Sequence, residues 1–395
     1  MCCYPLLAAV SLSSAVFQRN VQHERDRLVS KIGQMTHGGA DIHRLHWLHH
    51  HDQCFNILMN NDRGLCMSLK RSSSPKSLQP PFQGSLRRVF LRKKTFVILL
   101  ILFLALYSIL SIVLATLLTQ PSASALISTP ADFGLRYQRV SIFSREDHLQ
   151  LQGWFIPGVL ADGHLTTQHA IIVVHGLHAN RSYSPSMDAS IALAQHGFAV
   201  LAFDLRGNGE SAPARLSLGY YEQRDVLGAV DFLRSGTLPY ANLGRPRSIE
   251  GWGDSLGGAT LLLAAAQEPA IQAVVTDSAF AEASSLIREK SGVPGILLPE
   301  CLLAAKLLYG IDYDQVGPVD VVAKIAPRPL LLIHGTADDL VPFENMLQLA
   351  AAARKGHDAH VQTWTLPGMA HVSGIVQDRS EYVQRIVTFF QKALN

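Results

Sequence analysis

The sequence predicts an α/β domain with a mostly parallel central sheet, helices on both faces of the sheet, and one membrane-spanning helix in front. Two observations lead to this prediction. Continuous apolar runs, such as residues 170–174 and 199–203, alternate with amphipathic helical patterns, as in parallel sheets covered on both faces. Residues 96–118 contain no charged side chain, and a helix of this length would reach about 34 Å, enough to cross a bilayer.

The charge of the chain is divided between its two parts. Residues 1–94 hold 14 Lys and Arg against 5 Asp and Glu, whereas residues 95–395 hold 20 against 26. The larger part is therefore acidic, which excludes a basic nucleic-acid surface from the function classes we expect. Of the five cysteines only Cys301 lies beyond residue 94, so this part can form no internal disulfide.

The first 94 residues are predicted to be a basic, disordered tail, because they show no sustained helix or strand period. Met67 is a second plausible start, and residues 1–66 could be an over-extended gene start. Residues 43–51 are rich in histidine, but their spacing matches no recognisable metal scaffold, so we expect no metal site there. Cys2 and Cys3 could be acylated if this tail is cytosolic.

The predicted membrane helix covers residues 95–119 and is flanked on one side by basic residues. Arg92, Lys93 and Lys94 precede it, whereas the residues that follow are uncharged. By the positive-inside rule, we expect the N-terminus to be cytoplasmic and the domain after the helix to be extracytoplasmic. A cleaved signal is the alternative, because Ala123-Ser124-Ala125 resembles a cleavage site. The apolar run exceeds the usual core of a signal peptide, which favours a retained anchor.

A linker at 120–136 leads to a predicted domain at 137–395. Residues 140–142 and 149–156 alternate apolar and polar side chains, as a half-exposed antiparallel pair would. Residues 281–326 separate two predicted sheet strands and are expected to form a small helical cap over Ser255. The apolar character of this cap favours binding of an acyl or other hydrophobic group beneath it.

Polar residues follow four of the predicted strands, where an open parallel sheet places its chemistry. His175-Gly176-Leu177 follows the first parallel strand. Ser255 follows another within Gly253-Asp254-Ser255-Leu256-Gly257, whose Gly-x-Ser-x-Gly pattern between strand and helix is typical of a nucleophile elbow. His334-Gly335-Thr336-Ala337-Asp338-Asp339 and Gly368-Met369-Ala370-His371 follow the last two strands.

With these motifs, residues 137–395 resemble an α/β-hydrolase of the branch that contains esterases, acyl-peptide hydrolases and serine-aminopeptidase-like enzymes. The resemblance implies a Ser255-Asp338-His371 triad that works without metal or cofactor. Asp339 is the alternative acid, because adjacent residues on a turn cannot both face one histidine. The backbone N–H groups of Leu256 and Leu177 would form the oxyanion hole.

The resemblance also sets expectations for neighbouring residues. His175 would order the oxyanion loop, His334 would be a structural strand-end residue, and Asp204 and Arg206 resemble a structural loop pair of the family. Glu250 is unexpected in a strand that should be buried.

The reaction expected is hydrolysis of a carboxylic ester through an acyl-enzyme on Ser255. A peptidase or thioesterase of the same fold and a non-catalytic binding module are the alternatives. Nothing in the sequence decides the oligomeric state or selects one ester over another.

Overall fold

The structure is a computed structural model that describes residues 83–121 and 124–394, with the backbone alone for residues 83–91. The predictions made for the tail through residue 82, including its histidine-rich stretch, fall outside the described residues and stay predictions.

An eight-stranded sheet forms the centre of the domain. Its strands are β1 (Gln138–Phe143), β2 (Gln150–Ile156), β5 (His169–Val174), β6 (Ala199–Phe203), β7 (Ser248–Asp254), β8 (Ile271–Asp277), β9 (Leu330–Gly335) and β10 (Val361–Leu366), and a separate hairpin joins β3 (Gly158–Val159) to β4 (Leu165–Thr166). The order across the sheet is β1-β2-β6-β5-β7-β8-β9-β10. Every pair from β6 to β10 is parallel, and only β1–β2 and β2–β6 are antiparallel.

Helices cover both faces of the sheet, and others form the apolar N-terminal helix and the segment between β8 and β9. They are α1 (Gln83–Leu118), α2 (Ser186–Gln195), α3 (Glu222–Arg234), α4 (Leu256–Gln267), α5 (Ala283–Lys290), α6 (Leu298–Tyr309), α7 (Pro318–Val321), α8 (Glu344–Ala353), α9 (Gly374–Gln377) and α10 (Arg379–Ala393), with 3-10 turns at Pro130–Phe133, Ala241–Leu243, Tyr313–Gln315 and Val322–Ile325. The α/β prediction, with a mostly parallel sheet, is confirmed.

The alternation of side chains along each strand produces two cores, one on each face of the sheet. On β5, Ile171 and Val173 pack with α2 and α10, whereas Ala170, Ile172 and Val174 pack with α3 and α4. Because both faces are covered, the parallel strands need apolar residues at consecutive positions, which explains the continuous runs in the sequence.

The first antiparallel pair differs from the prediction in one respect. The edge strand β1 alternates as expected, with Val140 and Ile142 buried and its other residues exposed. By contrast β2 lies between β1 and β6, so consecutive residues from Gly153 to Ile156 are buried on both faces. An alternating pattern near the start of the strand therefore did not mean a half-exposed strand.

Helix α1 begins at Gln83, ahead of the predicted start at residue 95, and ends at Leu118. Within the described part of the chain it is the single helix long and apolar enough to cross a membrane, over Arg92–Leu118. The segment after it is not an open linker. The Asn180 side-chain amide donates to Ser124 Oγ at 2.9 Å, and Leu126 packs against the core beneath β2.

Three helices, α5, α6 and α7, fill the chain between β8 and β9. Helix α6 packs along α1, and α5 lies beside the pocket that contains Ser255. We refer to residues 281–326 as the cap.

Candidate active site

Ser255 lies at the turn between β7 and α4, with a positive φ of 50°. The flanking glycines are required by close packing. A Cβ on Gly257 would lie 2.1 Å from the carbonyl oxygen of Val174, and one on Gly253 would lie 2.7 Å from the backbone of Gly257. The strained turn has the geometry that the motif predicts for a nucleophile elbow, since only small residues let strand and helix approach this closely.

His371 connects Ser255 to Asp338 by two hydrogen bonds. Its Nδ1 lies 2.7 Å from Asp338 Oδ2, and its Nε2 lies 2.9 Å from Ser255 Oγ. A carboxylate can only accept, so Nδ1 carries the proton and Nε2 is left to accept from the serine hydroxyl. This is the hydrogen-bond pattern of a serine nucleophile with its base and orienting acid.

Asp338 is held by several donors in the loop after β9. Its Oδ1 accepts from the backbone N–H of Leu340 at 3.0 Å and of Val341 at 2.8 Å. Burial alone would raise the pKa of Asp338, but the hydrogen bonds from His334, His371 and this backbone outweigh burial and hold its pKa well below its usual range. The neighbouring Asp339 is exposed, so the structure places Asp338, rather than Asp339, against the histidine.

The loop after β5 lies directly against the serine. A Cβ on Gly176 would lie 3.3 Å from Ser255 Cβ, and His175 Nε2 accepts the backbone N–H of Leu205 at 3.0 Å. His175 is buried and ties the loop to its neighbour, as expected of an ordering residue. Leu177 lines the same pocket as Ser255. Leu256 is the first residue of α4, so its N–H has no partner within the helix.

Two buried carboxyl groups, those of Asp254 and Asp277, lie near the serine, and the sequence analysis did not predict that they lie together there. Asp254 Oδ1 accepts from the Ser186 hydroxyl at 2.6 Å, and Asp277 Oδ2 accepts from the Tyr382 hydroxyl at 2.8 Å. Burial raises the pKa of Asp254 to about 7, with Asp277 adding to the effect, and burial also raises the pKa of Asp277. The signal available was Asp277-Ser278 at the end of another apolar strand.

Ser278 belongs to this missed group because it supports the histidine loop. It has a positive φ of 55°, and its hydroxyl accepts the backbone N–H of Val372, the residue after His371, at 3.2 Å. Polar groups therefore follow β5, β7, β8, β9 and β10, one strand more than predicted.

Asp204 and Arg206, the two residues expected to be structural in the loop after β6, each form buried ion pairs with other residues. Asp204 forms a buried ion pair with Arg181. Arg206 instead bonds Asp225 at 2.6 Å and Asp147 at 2.7 Å. The two residues stabilise the same loop through different partners, which sequence spacing alone could not identify.

Glu250 remains an exception within β7. It is fully buried, and neither carboxyl oxygen has a hydrogen-bond partner among the described residues. Burial raises the pKa of Glu250 to about 7. This carboxyl group lies five positions before Ser255 and contributes nothing to the hydrogen bonds of the triad residues.

The pocket at Ser255 has a volume of about 430 Å³ and a mostly apolar lining. Phe280 follows β8, and Leu286 and Ile287 lie on α5 of the cap. Leu340 comes from the loop after β9. Lys290 is the one charged side chain in this lining, and His178 lines it too, with a pKa lowered by burial. No group of three or more potential metal ligands occurs among the described residues.

The family model described as the prolyl oligopeptidase family matches residues 185–395, more than half of the chain. The chain belongs to this family. The chain has the α/β-hydrolase fold and is a serine hydrolase.

Relatives with similar sequences match half of the chain or more. YfhR of Escherichia coli O157:H7 is 29% identical over 258 residues, which are 64% of this chain and 80% of YfhR. The lysophosphatidylserine lipase ABHD12 of Macaca fascicularis is 27% identical over 219 residues, which are 50% of each chain.

Solved structures of similar fold include an esterase and a peptidase. The Pyrococcus furiosus esterase Pf2001 has a TM-score of 0.56 and 23% identity, over 69% of this chain and 98% of the esterase. The Pyrococcus horikoshii acylaminoacyl peptidase has a TM-score of 0.51 and 19% identity, over 65% of this chain and 42% of the peptidase. At these identities the likeness concerns the fold alone.

Proposed function

We propose that this prolyl oligopeptidase family member is a membrane-anchored esterase that cleaves carboxylic esters through an acyl-enzyme on Ser255. The observation that carries the proposal is the pair of hydrogen bonds joining Ser255, His371 and Asp338 beside an apolar pocket. The bonds supply an activated nucleophile, and the pocket suits an apolar acyl group.

In the proposed reaction, Ser255 Oγ attacks the ester carbonyl while His371 Nε2 takes the hydroxyl proton. The N–H groups of Leu256 and Leu177 would stabilise the oxyanion, each worth about 3 kcal/mol in comparable sites. Collapse breaks the bond to the alcohol oxygen, which receives the proton from His371. Water then attacks the acyl-enzyme by the same route and releases the acid. Asp338 stays ionised throughout and stabilises the imidazolium.

The lining of the pocket favours esters over free peptides. An aminopeptidase needs an anionic group to hold the substrate's ammonium, and the described residues around this pocket include no Asp or Glu side chain. The family and the fold of the acylaminoacyl peptidase support a second candidate, cleavage of amides with a blocked N-terminus. A thioesterase would use the same nucleophile and pocket.

The anchor is proposed to be α1, with the catalytic domain outside the cytoplasm. Residues 96–118 are uncharged, and Arg92, Lys93 and Lys94 precede them. Protease treatment of sealed cells should degrade the C-terminal domain from outside. A fully protected domain would contradict this orientation.

The activity is tested on the full-length protein in detergent micelles. A fluorophosphonate probe should label the wild type and not Ser255→Ala, and p-nitrophenyl esters should be hydrolysed faster than matched anilides and thioesters. Labelling with faster anilide cleavage would favour the peptidase. A folded wild type that neither labels nor hydrolyses any member would favour a binding module.

A further inference from the structure

Helix α1 is bound to the cap through its few polar side chains. The Tyr107 hydroxyl donates to the carbonyl oxygen of Ile296 and to the Glu300 carboxylate. Two residues before the end of the helix, Thr116 Oγ1 lies 2.7 Å from the Tyr309 hydroxyl. These contacts place α6 lengthwise beside α1 rather than above its end.

The position of Tyr107 within α1 sets the depth of these contacts. If Lys94 marks the cytoplasmic boundary, Tyr107 lies 13 residues further along, or about 20 Å at 1.5 Å per residue. The hydrocarbon layer is about 30 Å thick, so Tyr107 would lie roughly 10 Å short of its far boundary. The start of α6, which contacts Tyr107, would therefore lie at the level of the acyl chains.

The outer surface of α6 and the residues just before it suit such an environment. Ile296, two residues before α6, and Leu307 are each 74% exposed, and Leu303 and Leu308 are about half exposed. The two charged side chains of this helix are both engaged, Glu300 with Tyr107 and Lys306 with Asp312 at 2.7 Å. Exposed apolar groups are unfavourable in water and favourable at a lipid surface. Charges that are partnered cost less in hydrocarbon than free charges do.

The same two elements build the pocket at Ser255. Leu114, Leu117 and Leu118 from the last turns of α1 line it opposite Leu286 and Ile287 of α5. An acyl chain in this pocket would thus contact the anchor helix itself. The pocket and the apolar surface of α6 share α1 as a common wall, so a path between them need not cross water.

We propose that α6 lies within the leaflet on the side of the catalytic domain, and that the pocket takes the acyl chain of a membrane amphiphile directly from that leaflet. This inference rests on the esterase proposed above. The anchor then selects the substrate as well as holding the enzyme, because its last turns form the acyl-binding wall.

Membrane contact is tested without reference to activity. Full-length Leu303→Trp and Leu347→Trp variants are placed in phosphatidylcholine vesicles, with and without brominated acyl chains. Leu303 lies between the contacts with Tyr107 and Thr116, and Leu347 lies on α8, outside the cap; both are 51% exposed. The fluorescence added by Trp at 303 should be quenched by the brominated lipid and that at 347 should not. Equal quenching at both positions, or none at 303, overturns the insertion of α6.

Substrate delivery is tested by comparing a soluble ester with a vesicle-borne long-chain ester. Leu303→Glu should lower the ratio of vesicle to soluble rates roughly tenfold, since a carboxylate is costly in hydrocarbon. Leu347→Glu should leave this ratio at the wild-type value. An unchanged ratio in Leu303→Glu overturns delivery from the leaflet, whereas a wild type that does not hydrolyse the soluble ester would refute the esterase instead.

The acyl-binding wall is tested by filling it. Leu114→Trp should shift the preferred p-nitrophenyl ester toward shorter acyl chains, and Leu106→Trp, at an exposed position of the same helix outside the pocket, should not. Identical chain-length profiles for both variants would show that α1 is no part of the acyl site.

Discussion

The two sides of Ser255 differ in where their residues come from. On the polar side, each group follows its own parallel strand by a few residues, so neighbouring strands deliver them to one edge of the sheet. On the apolar side, the pocket combines α1, the cap and loops that are far apart in the chain. The chemistry therefore depends on tight turns at strand ends, whereas selectivity depends on how remote helices pack.

On the polar side, the largest loss of activity is expected from Asp338→Asn. The amide would stabilise the wrong tautomer of His371, and in comparable triads the loss in kcat is about 10⁴-fold. Steady-state kinetics on a short p-nitrophenyl ester should show this fall with little change in KM, because the pocket is untouched.

Asp339→Asn is the matched control, since Asp339 is adjacent and exposed. It should keep wild-type kcat. If the two variants lost activity equally, the acid would not be Asp338.

Glu250→Gln changes the stability of the fold without changing either the polar or the apolar side of Ser255. The folded pKa of Glu250, about 7, lies above its ordinary 4.5, so its contribution to stability is present below about 4.5 and is lost as pH rises toward 7. The difference amounts to up to about 3 kcal/mol. The variant should therefore have a higher Tm than the wild type at pH 8 and a similar one at pH 4.5.

Glu344→Gln, at an exposed glutamate, is the matched control and should leave Tm at pH 8 at the wild-type value. Asp254 titrates in the same window, so with Glu250→Gln the slope of Tm against pH should become shallower rather than vanish. A Glu250→Gln protein less stable than the wild type at pH 8 would contradict an unpartnered, buried carboxyl.

The smallest effect is expected from Leu177→Ala, which tests whether the side chain of Leu177 contributes to the apolar side alone. It keeps the proposed oxyanion N–H but removes apolar contact worth about 1 kcal/mol, or roughly fivefold in KM for a long-chain ester. Short-ester kcat should change little. Leu347→Ala, outside the pocket, should alter neither value. A large fall in kcat with Leu177→Ala would mean that the side chain positions the loop.

The polar side was largely predictable because strand-end placement follows from local sequence. The apolar runs before His175 and His334, with the shorter strands predicted before Ser255 and His371, indicated a parallel sheet. Parallel strands bring such ends together. Ser278 was missed because no motif marks it, although it follows an apolar strand in the same way.

The apolar side was not predictable, because a leucine-rich surface matches almost any apolar partner and its packing has no sequence signature. The parallel sheet, the elbow motif at Ser255 and an uncharged helix long enough to cross a bilayer could be predicted from local sequence patterns. The structure was needed to place the last turns of this helix in the wall of the pocket. It was also needed to pair Asp204 with Arg181 and to bring Asp338 rather than Asp339 to His371, since these contacts depend on distances between segments remote in the chain.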